Sequence, residues 1–390
     1  MPRTVILTSV VSEVGYVAPM AEVRMVKAAV CREFGAPLSI EEITVASPGP
    51  GQVKVDVEAC AICHSDIHFI DGAWGGRLPA VYGHEAAGTV SAIGDGVDNV
   101  AVGDRVVVSL IRSCGLCPSC AKGMSVACTG RFTIDDTRPL TDAGGNSLVH
   151  GLNTGTFAEE AIVDSSQVVS IPDSIPAASA ALLGCGVITG FGAVTNTAKI
   201  EAGSDVVVIG CGGVGLNAVQ GAAIAGAAQV IAVDVTDEKL EAAREFGATA
   251  GVPVLADDLV DQVGALTGGA GADYVFVTVG AKPAIEQAFS LVSPGGAVVL
   301  VGMMASGVMV EMDATDIAAK NQRVLGSKMG AGRLAIDIPL LVSLYEHGRL
   351  KLDELVTRTY PVEEINEAID AVKRGEARRN VIVFDRPAGV

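Results

Sequence analysis

The chain has 390 residues, with 45 acidic and 27 basic side chains and a formal net charge of −18. That length supports more than one domain around a large core, and the acidic balance excludes a nucleic-acid binder, which needs basic surface to neutralise phosphate. Aromatics are only 4% while Gly, Ala and Val abound, the composition of a doubly wound parallel sheet with close helix packing.

Residues 1–24 carry one short apolar stretch, Thr4 to Val11, followed by Glu13 and no clean export-signal core, and so read as an N-terminal extension. From Met25, short alternating runs (Val53 to Val57, Gly88 to Ile93, Arg105 to Ser109) separated by Gly, Pro and Asp predict an antiparallel, barrel-like, β-rich domain. It contains Cys63-His64-Ser65-Asp66-Ile67-His68 and Tyr82-Gly83-His84-Glu85, and Cys185 follows in Leu183-Gly184-Cys185-Gly186. Two thiolates and one imidazole are a catalytic zinc set, because they leave a coordination position open. Taken singly, Cys185 also reads as a small buried hydrophobe and His84 as a hydrogen-bonded core histidine.

Cys114, Cys117, Cys120 and Cys128 stand at Cys-x2-Cys-x2-Cys-x7-Cys spacing in a chain of nine cysteines. Four thiolates from one loop close a tetrahedral cage around Zn2+ and leave no place for substrate, so this is a structural site. An iron–sulfur cluster is the alternative, since the first three share ferredoxin spacing, although the fourth comes too late and no Pro follows it. Disulfides fit less well, because the thiols are bunched rather than spread as a framework. Cys31, Cys60 and Cys211 carry no assigned chemistry, and Cys60 reads as a buried strand residue despite its Cys-x-x-Cys relation to Cys63.

The next part, about Ile188 to Lys328, alternates strand and helix patterns. Strands are expected at Asp205–Ile209, Gln229–Val233, Tyr274–Val279, Ala297–Val301 and Arg323–Ser327, with helices including Leu216–Ala225 and Glu238–Phe246, the latter closed by Gly247. Between the first strand and helix lies Gly210-Cys211-Gly212-Gly213-Val214-Gly215, a G-x-G-x-x-G turn that lets a pyrophosphate approach the backbone at a helix N-terminus. Asp234 ends the second strand with no Arg beside it, which suits the two ribose hydroxyls of NAD and repels a 2′-phosphate. The uncharged run Val206 to Val233 is broken by these glycines and is not a membrane span. Ile336–Glu346 and Val362–Arg374 then read as helices, and Asn380–Phe384 as a last strand.

Together these segments, in this order from about Met25 to Phe384, resemble a zinc-dependent alcohol dehydrogenase of the medium-chain dehydrogenase/reductase superfamily. The resemblance implies an α/β protein: a GroES-like β-rich catalytic domain (25–187 and 329–390) with a structural zinc lobe (114–128), and an inserted doubly wound Rossmann domain (188–328). It implies NAD as cofactor and two Zn2+ per chain, one at Cys63, His84 and Cys185 acting as Lewis acid on the alcohol. Ser65 and His68 match the proton-relay positions, Asp66 would fix the His84 tautomer, and Glu85 would lie behind the metal. His64 and Arg379 match cationic phosphate positions, Thr189 a residue packed on the nicotinamide, and Lys239 a lysine near the adenosine ribose. Surface roles remain open for Lys239, His68 and Arg378, and plain surface salt bridges for Asp66 and Glu85. A homodimer or homotetramer, cytoplasmic, is expected, with a small alcohol or aldehyde as partner and neither membrane nor nucleic acid.

Substrate identity is thinner. The glutathione-dependent formaldehyde dehydrogenase branch is similar in the four-cysteine lobe and in Thr154-Gly155-Thr156-Phe157. Where that branch has acidic residues eleven and thirteen positions after the first ligand, however, this chain has Trp74 and Gly76, its relay position is His68 rather than tyrosine, and Thr129 to Asn153 is shorter. Trp74 suits either an apolar alcohol pocket or plain packing. The expectation is reversible hydride transfer between a primary alcohol or aldehyde and NAD. A thiol-adduct dehydrogenase, a dismutase that keeps its cofactor and a non-catalytic zinc protein are the alternatives.

Overall fold

The β-branched runs pair into three separate sheets in a computed structural model that describes residues 24–385; the expectation for residues 1–23 lies outside them. Met25–Cys31, Ser39–Val45, Leu140–Asp142, Ser147–His150 and Ala80–Val81 close a small barrel. Beside it a seven-stranded sheet runs in the order Val168–Ser170, Arg105–Ser109, Glu85–Ile93, Gln52–Ala61, Arg379–Val383 and Val356–Pro361, with Glu160–Asp164 also pairing with Gln52–Ala61. This is the GroES-like domain with its barrel.

The C-terminal segment decides how that domain is completed. Arg379–Val383 pairs antiparallel with Gln52–Ala61, setting Val381 opposite Ala61 and Ile382 opposite Cys60. The tail is thereby anchored in the first domain, and Arg379 arrives beside the turn that carries Cys63.

The intervening segment forms a six-stranded, all-parallel sheet in the order Ala250–Pro253, Gln229–Asp234, Asp205–Ile209, Ala272–Val277, Val292–Leu300, Arg323–Gly326. Numbered along the chain, this is the 3-2-1-4-5-6 order of a Rossmann sheet, whose ligand crevice lies at the carboxyl ends where the order reverses. Asp205–Ile209 is the first strand and opens onto that crevice. Its helix, Gly213–Ala225, starts at the glycine turn and ends at Gly226 in left-handed conformation (φ 90°).

Several elements differ from the sequence expectation. Tyr274–Val279 is instead Ala272–Val277, because the ladder with the first strand stops at Ile209 and Thr278 turns to hydrogen-bond the Gly210 carbonyl. Ala297–Val301 begins earlier, at Val292, through a Pro-Gly-Gly irregularity. Ala250–Pro253 was not foreseen.

Most consequential is a helical run from Ala177 to Ala198, interrupted by wider turns at Leu183–Val187 and Ala193–Ala198. The expected division at 187/188 falls within it. It is long and apolar enough to cross a membrane, yet 89% of its apolar window is buried inside the protein, where it packs against Gly213–Ala225 as a core helix.

Candidate active site

Cys63 caps the helix His64–Ile70, and Asp66 at the third helical position returns to accept the Cys63 backbone N–H at 3.1 Å. The same carboxylate accepts Gly83 N–H at 3.0 Å and the Nδ1–H of His84 at 3.0 Å. One buried carboxylate thus fixes two distant segments against each other and selects the tautomer that leaves His84 Nε2 as a lone pair. That atom is buried and has no hydrogen-bond partner among the described residues.

Cys63, His84, Glu85 and Cys185 each present one ligand atom, all within 4.8 Å of one another, and all four residues are buried. Cys185 sits in the first widened turn of the core helix, a distortion that often marks functional positions. The thiols behave as a pair: Cys63 is held well below the usual thiol range, first by the hydrogen bond from Cys185 and then by His84, while Cys185 is pushed up as the donor. Burial would depress His84, but Asp66 overrides it and raises the imidazole. Burial pushes the Glu85 carboxyl up to about 7 against the opposing pull of Arg379. Glu85 accepts Gly186 N–H at 3.3 Å and stands behind the ligand atoms. Two sulfurs and an unpartnered imidazole nitrogen suit Zn2+.

The dinucleotide side is equally organised. Gly210 has φ 92°, and a Cβ on Gly215 would lie 1.8 Å from the Gly210 carbonyl oxygen, so the turn closes only with glycine there. Asp234 is 7% exposed and accepts the N–H groups of Cys211 at 2.6 Å and Val235 at 2.7 Å, with Lys239 Nζ 3.8 Å away. Arg379 lies under Gly213, and its Nε and Nη2 are buried without a hydrogen-bond partner. Unspent guanidinium donors beside a glycine turn are what a pyrophosphate requires.

The four-cysteine loop forms a separate cluster of partly exposed thiols, again within 4.8 Å of one another. The Cys117–Cys128 sulfur separation is 3.9 Å, against about 3.8 Å for the edge of a tetrahedron with Zn–S bonds of ~2.3 Å. Backbone N–H groups point at the sulfurs: Cys117 N at Cys114, Cys120 N at Cys117, and both Cys114 N and Gly130 N at Cys128. The Cys120 N–H draws the Cys117 thiol down to about 5, whereas burial pushes Cys128 up to about 11. All nine cysteines are free, which removes the disulfide alternative.

The zinc-binding dehydrogenase family model matches residues 213–345, and the alcohol dehydrogenase GroES-like domain model matches residues 49–173. The chain is 39% identical to an NDMA-dependent alcohol dehydrogenase of Amycolatopsis methanolica over 92% of its length and 98% of that protein. It is 37% identical to a probable S-(hydroxymethyl)glutathione dehydrogenase 1 of Schizosaccharomyces pombe, covering 93% and 97%. Among solved structures, benzyl alcohol dehydrogenase from Acinetobacter calcoaceticus superposes with TM-score 0.87 at 30% identity, covering 93% and 100%. This chain is a zinc-dependent alcohol dehydrogenase of the medium-chain superfamily.

In this dehydrogenase the remaining expected residues fall around the crevice. His64 is exposed at the start of the first helix, and Ser65 and His68 are half-buried on it. No direct hydrogen bond joins Ser65 to His68 among the described residues. Thr189, one turn beyond Cys185, is buried, and Val214 is partly buried on the first turn of its helix. Sequence reasoning missed Met329. Its Sδ lies 3.7 Å from both Cys185 Sγ and Thr189 Oγ1, on a tight turn where Met329 and Gly330 both have positive φ. The only signal was the glycine-flanked Lys328-Met329-Gly330-Ala331 turn after the last strand.

Proposed function

We propose that this enzyme transfers hydride reversibly between a primary alcohol or its aldehyde and NAD. The observation that carries the reading is the buried Cys63–His84–Cys185 set, with an unpartnered imidazole nitrogen, next to Thr189. When bound, zinc there supplies a Lewis acid and the nicotinamide the hydride acceptor.

The chain's own residues do the rest. Asp66 orients His84, while Thr189 and Met329 wall the place of the nicotinamide. Arg379 neutralises the pyrophosphate, and His64 and the backbone N–H groups of Gly212, Gly213, Val214 and Gly215 seat it by hydrogen bonds. Asp234 accepts the ribose hydroxyls with Lys239 beside it. Ser65 and His68 carry the alcohol proton outward, a hydroxyl followed by an imidazole, both of which can donate and accept. The domain division 25–187 with 329–390, and 188–328, the homodimer or homotetramer and the cytoplasmic location are inferred from the resemblance.

A thiol-adduct formaldehyde dehydrogenase is the second reading, favoured by the yeast relative's name and opposed by Trp74 and Gly76. A panel of alcohols and aldehydes with NAD and NADP, with and without low-molecular-weight thiols, and with NDMA as an added acceptor separates the two. NAD-linked turnover of simple primary alcohols without thiol supports the first reading. Turnover of formaldehyde only with a thiol overturns it.

A further inference from the structure

Trp74, the single tryptophan, follows the helix that carries Ser65 and His68. Its backbone N–H reaches the His68 carbonyl at 3.4 Å, and its indole lies against the His68 imidazole, with centroids 4.7 Å apart and planes tilted by 32°. Phe69 meets the same indole edge-on at 5.3 Å and stacks on Tyr82 at 5.9 Å, so the indole is braced from the catalytic domain.

The other end of the indole crosses the crevice. Its Nε1–H donates to the Met304 carbonyl at 3.1 Å, 230 residues along the chain. Met304 follows the strand Val292–Leu300 and packs on the core of the parallel sheet. One side chain therefore touches the relay imidazole and is tied to the dinucleotide domain.

We infer that Trp74 is a positioning residue, which holds the His68 imidazole in its proton-passing orientation and does so fully only while the dinucleotide domain is docked through Met304. The inference rests on the relay reading of His68 given above. The titratable groups near His68 on its own helix are His64, whose pKa desolvation lowers, Asp66, which is spent on His84 and two backbone N–H groups, and Asp71, which pairs with Lys373 at 2.7 Å. From across the crevice, the loop after Val292–Leu300 offers the indole a neutral carbonyl. An imidazole free to swing away would pass its proton to water less often. The loss would appear in kcat and grow as pH falls, because external base is then scarce.

The test compares Trp74→Phe, which keeps an aromatic ring but deletes the N–H donor, with Trp74→Leu, His68→Gln and the Trp74→Leu/His68→Gln double variant, in alcohol oxidation by the zinc-loaded enzyme from pH 6 to 9. The expected kcat losses below pH 7 are about two- to tenfold for Trp74→Phe, the range of one ordinary hydrogen bond, and larger for Trp74→Leu. The double variant should be no slower than His68→Gln alone, since two residues acting through one step do not add. Losses that are pH-independent, carried by the alcohol KM, or additive with His68→Gln overturn the inference and leave Trp74 as a pocket wall.

A second readout separates the two levels of the argument. The His68 Cε1–H signal, assigned from the His68→Gln difference spectrum, should be shifted upfield by the indole ring current and move downfield in Trp74→Leu. If His68→Gln is as fast as wild type at every pH, the relay reading fails. If the signal does not move in Trp74→Leu, the clamp itself is refuted whatever the relay does.

Discussion

Arg379 Nη1 lies 3.7 Å from Glu85 Oε1, so one buried guanidinium reaches from the back of the metal-ligand cluster to the glycine turn. The pair is enclosed: Arg379 is 5% exposed and Glu85 fully buried. Glu85 offsets the cost of burying the cation, while the Nε and Nη2 donors stay unspent for an anion.

Gly213→Ala tests that arrangement. Alanine in the first helical turn would ordinarily gain up to ~1 kcal/mol of helix propensity. Here its Cβ would fall 2.5 Å from Arg379 Nε and 2.8 Å from the Arg378 carbonyl, and the latter is backbone and cannot swing aside. The clash should win. NADH affinity should fall about tenfold or more, equivalent to ~1.4 kcal/mol, with a lower melting temperature. Calorimetric NADH titration checks this, and an affinity within twofold of wild type contradicts it.

On the NAD reading proposed above, Asp234 discriminates between the dinucleotides by charge. Its carboxylate already holds the turn through the Cys211 N–H and lies within reach of Lys239. Asp234→Gly should narrow the NAD/NADP gap in kcat/KM by removing repulsion of the 2′-phosphate. Charge-assisted hydrogen bonds contribute roughly 1.5–3 kcal/mol each, so activity with NAD should drop at least tenfold. Comparable kcat/KM for the two dinucleotides in the unsubstituted enzyme would contradict the NAD assignment from the start.

Legibility in the sequence followed the range over which each feature is determined. The four-cysteine loop and the glycine turn are local, and their spacing carries their geometry. Asp205–Ile209 appeared where expected, because an apolar β-branched run bounded by Gly has one reading. The helix Ala177–Ala198 was not foreseen, since it is apolar on every side and shows no 3.6-residue contrast. Ala250–Pro253 is four residues whose strand character comes from its parallel partner Gln229–Asp234. Met329 beside Cys185 and Trp74 beside Met304 are contacts across 144 and 230 residues. Only the packing of the two domains creates them.

Metal content should separate the two cysteine clusters. Elemental analysis of freshly prepared active enzyme should give about two zinc ions per chain. Cys63→Ala should abolish turnover while keeping the fold, because the remaining core does not depend on an open site. Cys117→Ala should chiefly lower the melting temperature, since closure of a partly exposed loop of four thiols relies on metal binding that is coupled to folding. One zinc or none in active enzyme, or equal effects of the two substitutions on turnover and melting, would refute the division of roles.

His150 gives a stability prediction away from both clusters. Its Nε2–H donates to the Thr154 carbonyl at 2.8 Å, and burial draws the imidazole down from 6.5 to about 4. The sign follows from linkage: between those values the unfolded chain binds a proton that the folded chain refuses, so stability is fully present above pH 6.5 and is lost as pH falls toward 4. The side chain is half-buried, which reduces the effect to on the order of 1–3 kcal/mol. His150→Gln keeps a donor without the titration. It should melt below wild type at pH 7, where the fitted imidazole is missed, and the gap should close or invert by pH 4.5. Acid loss of zinc affects both proteins alike, so the difference between their melting curves isolates His150. A gap that stays constant from pH 7 to pH 4.5 would mean that the folded protein accepts the proton at His150 as readily as the unfolded chain does.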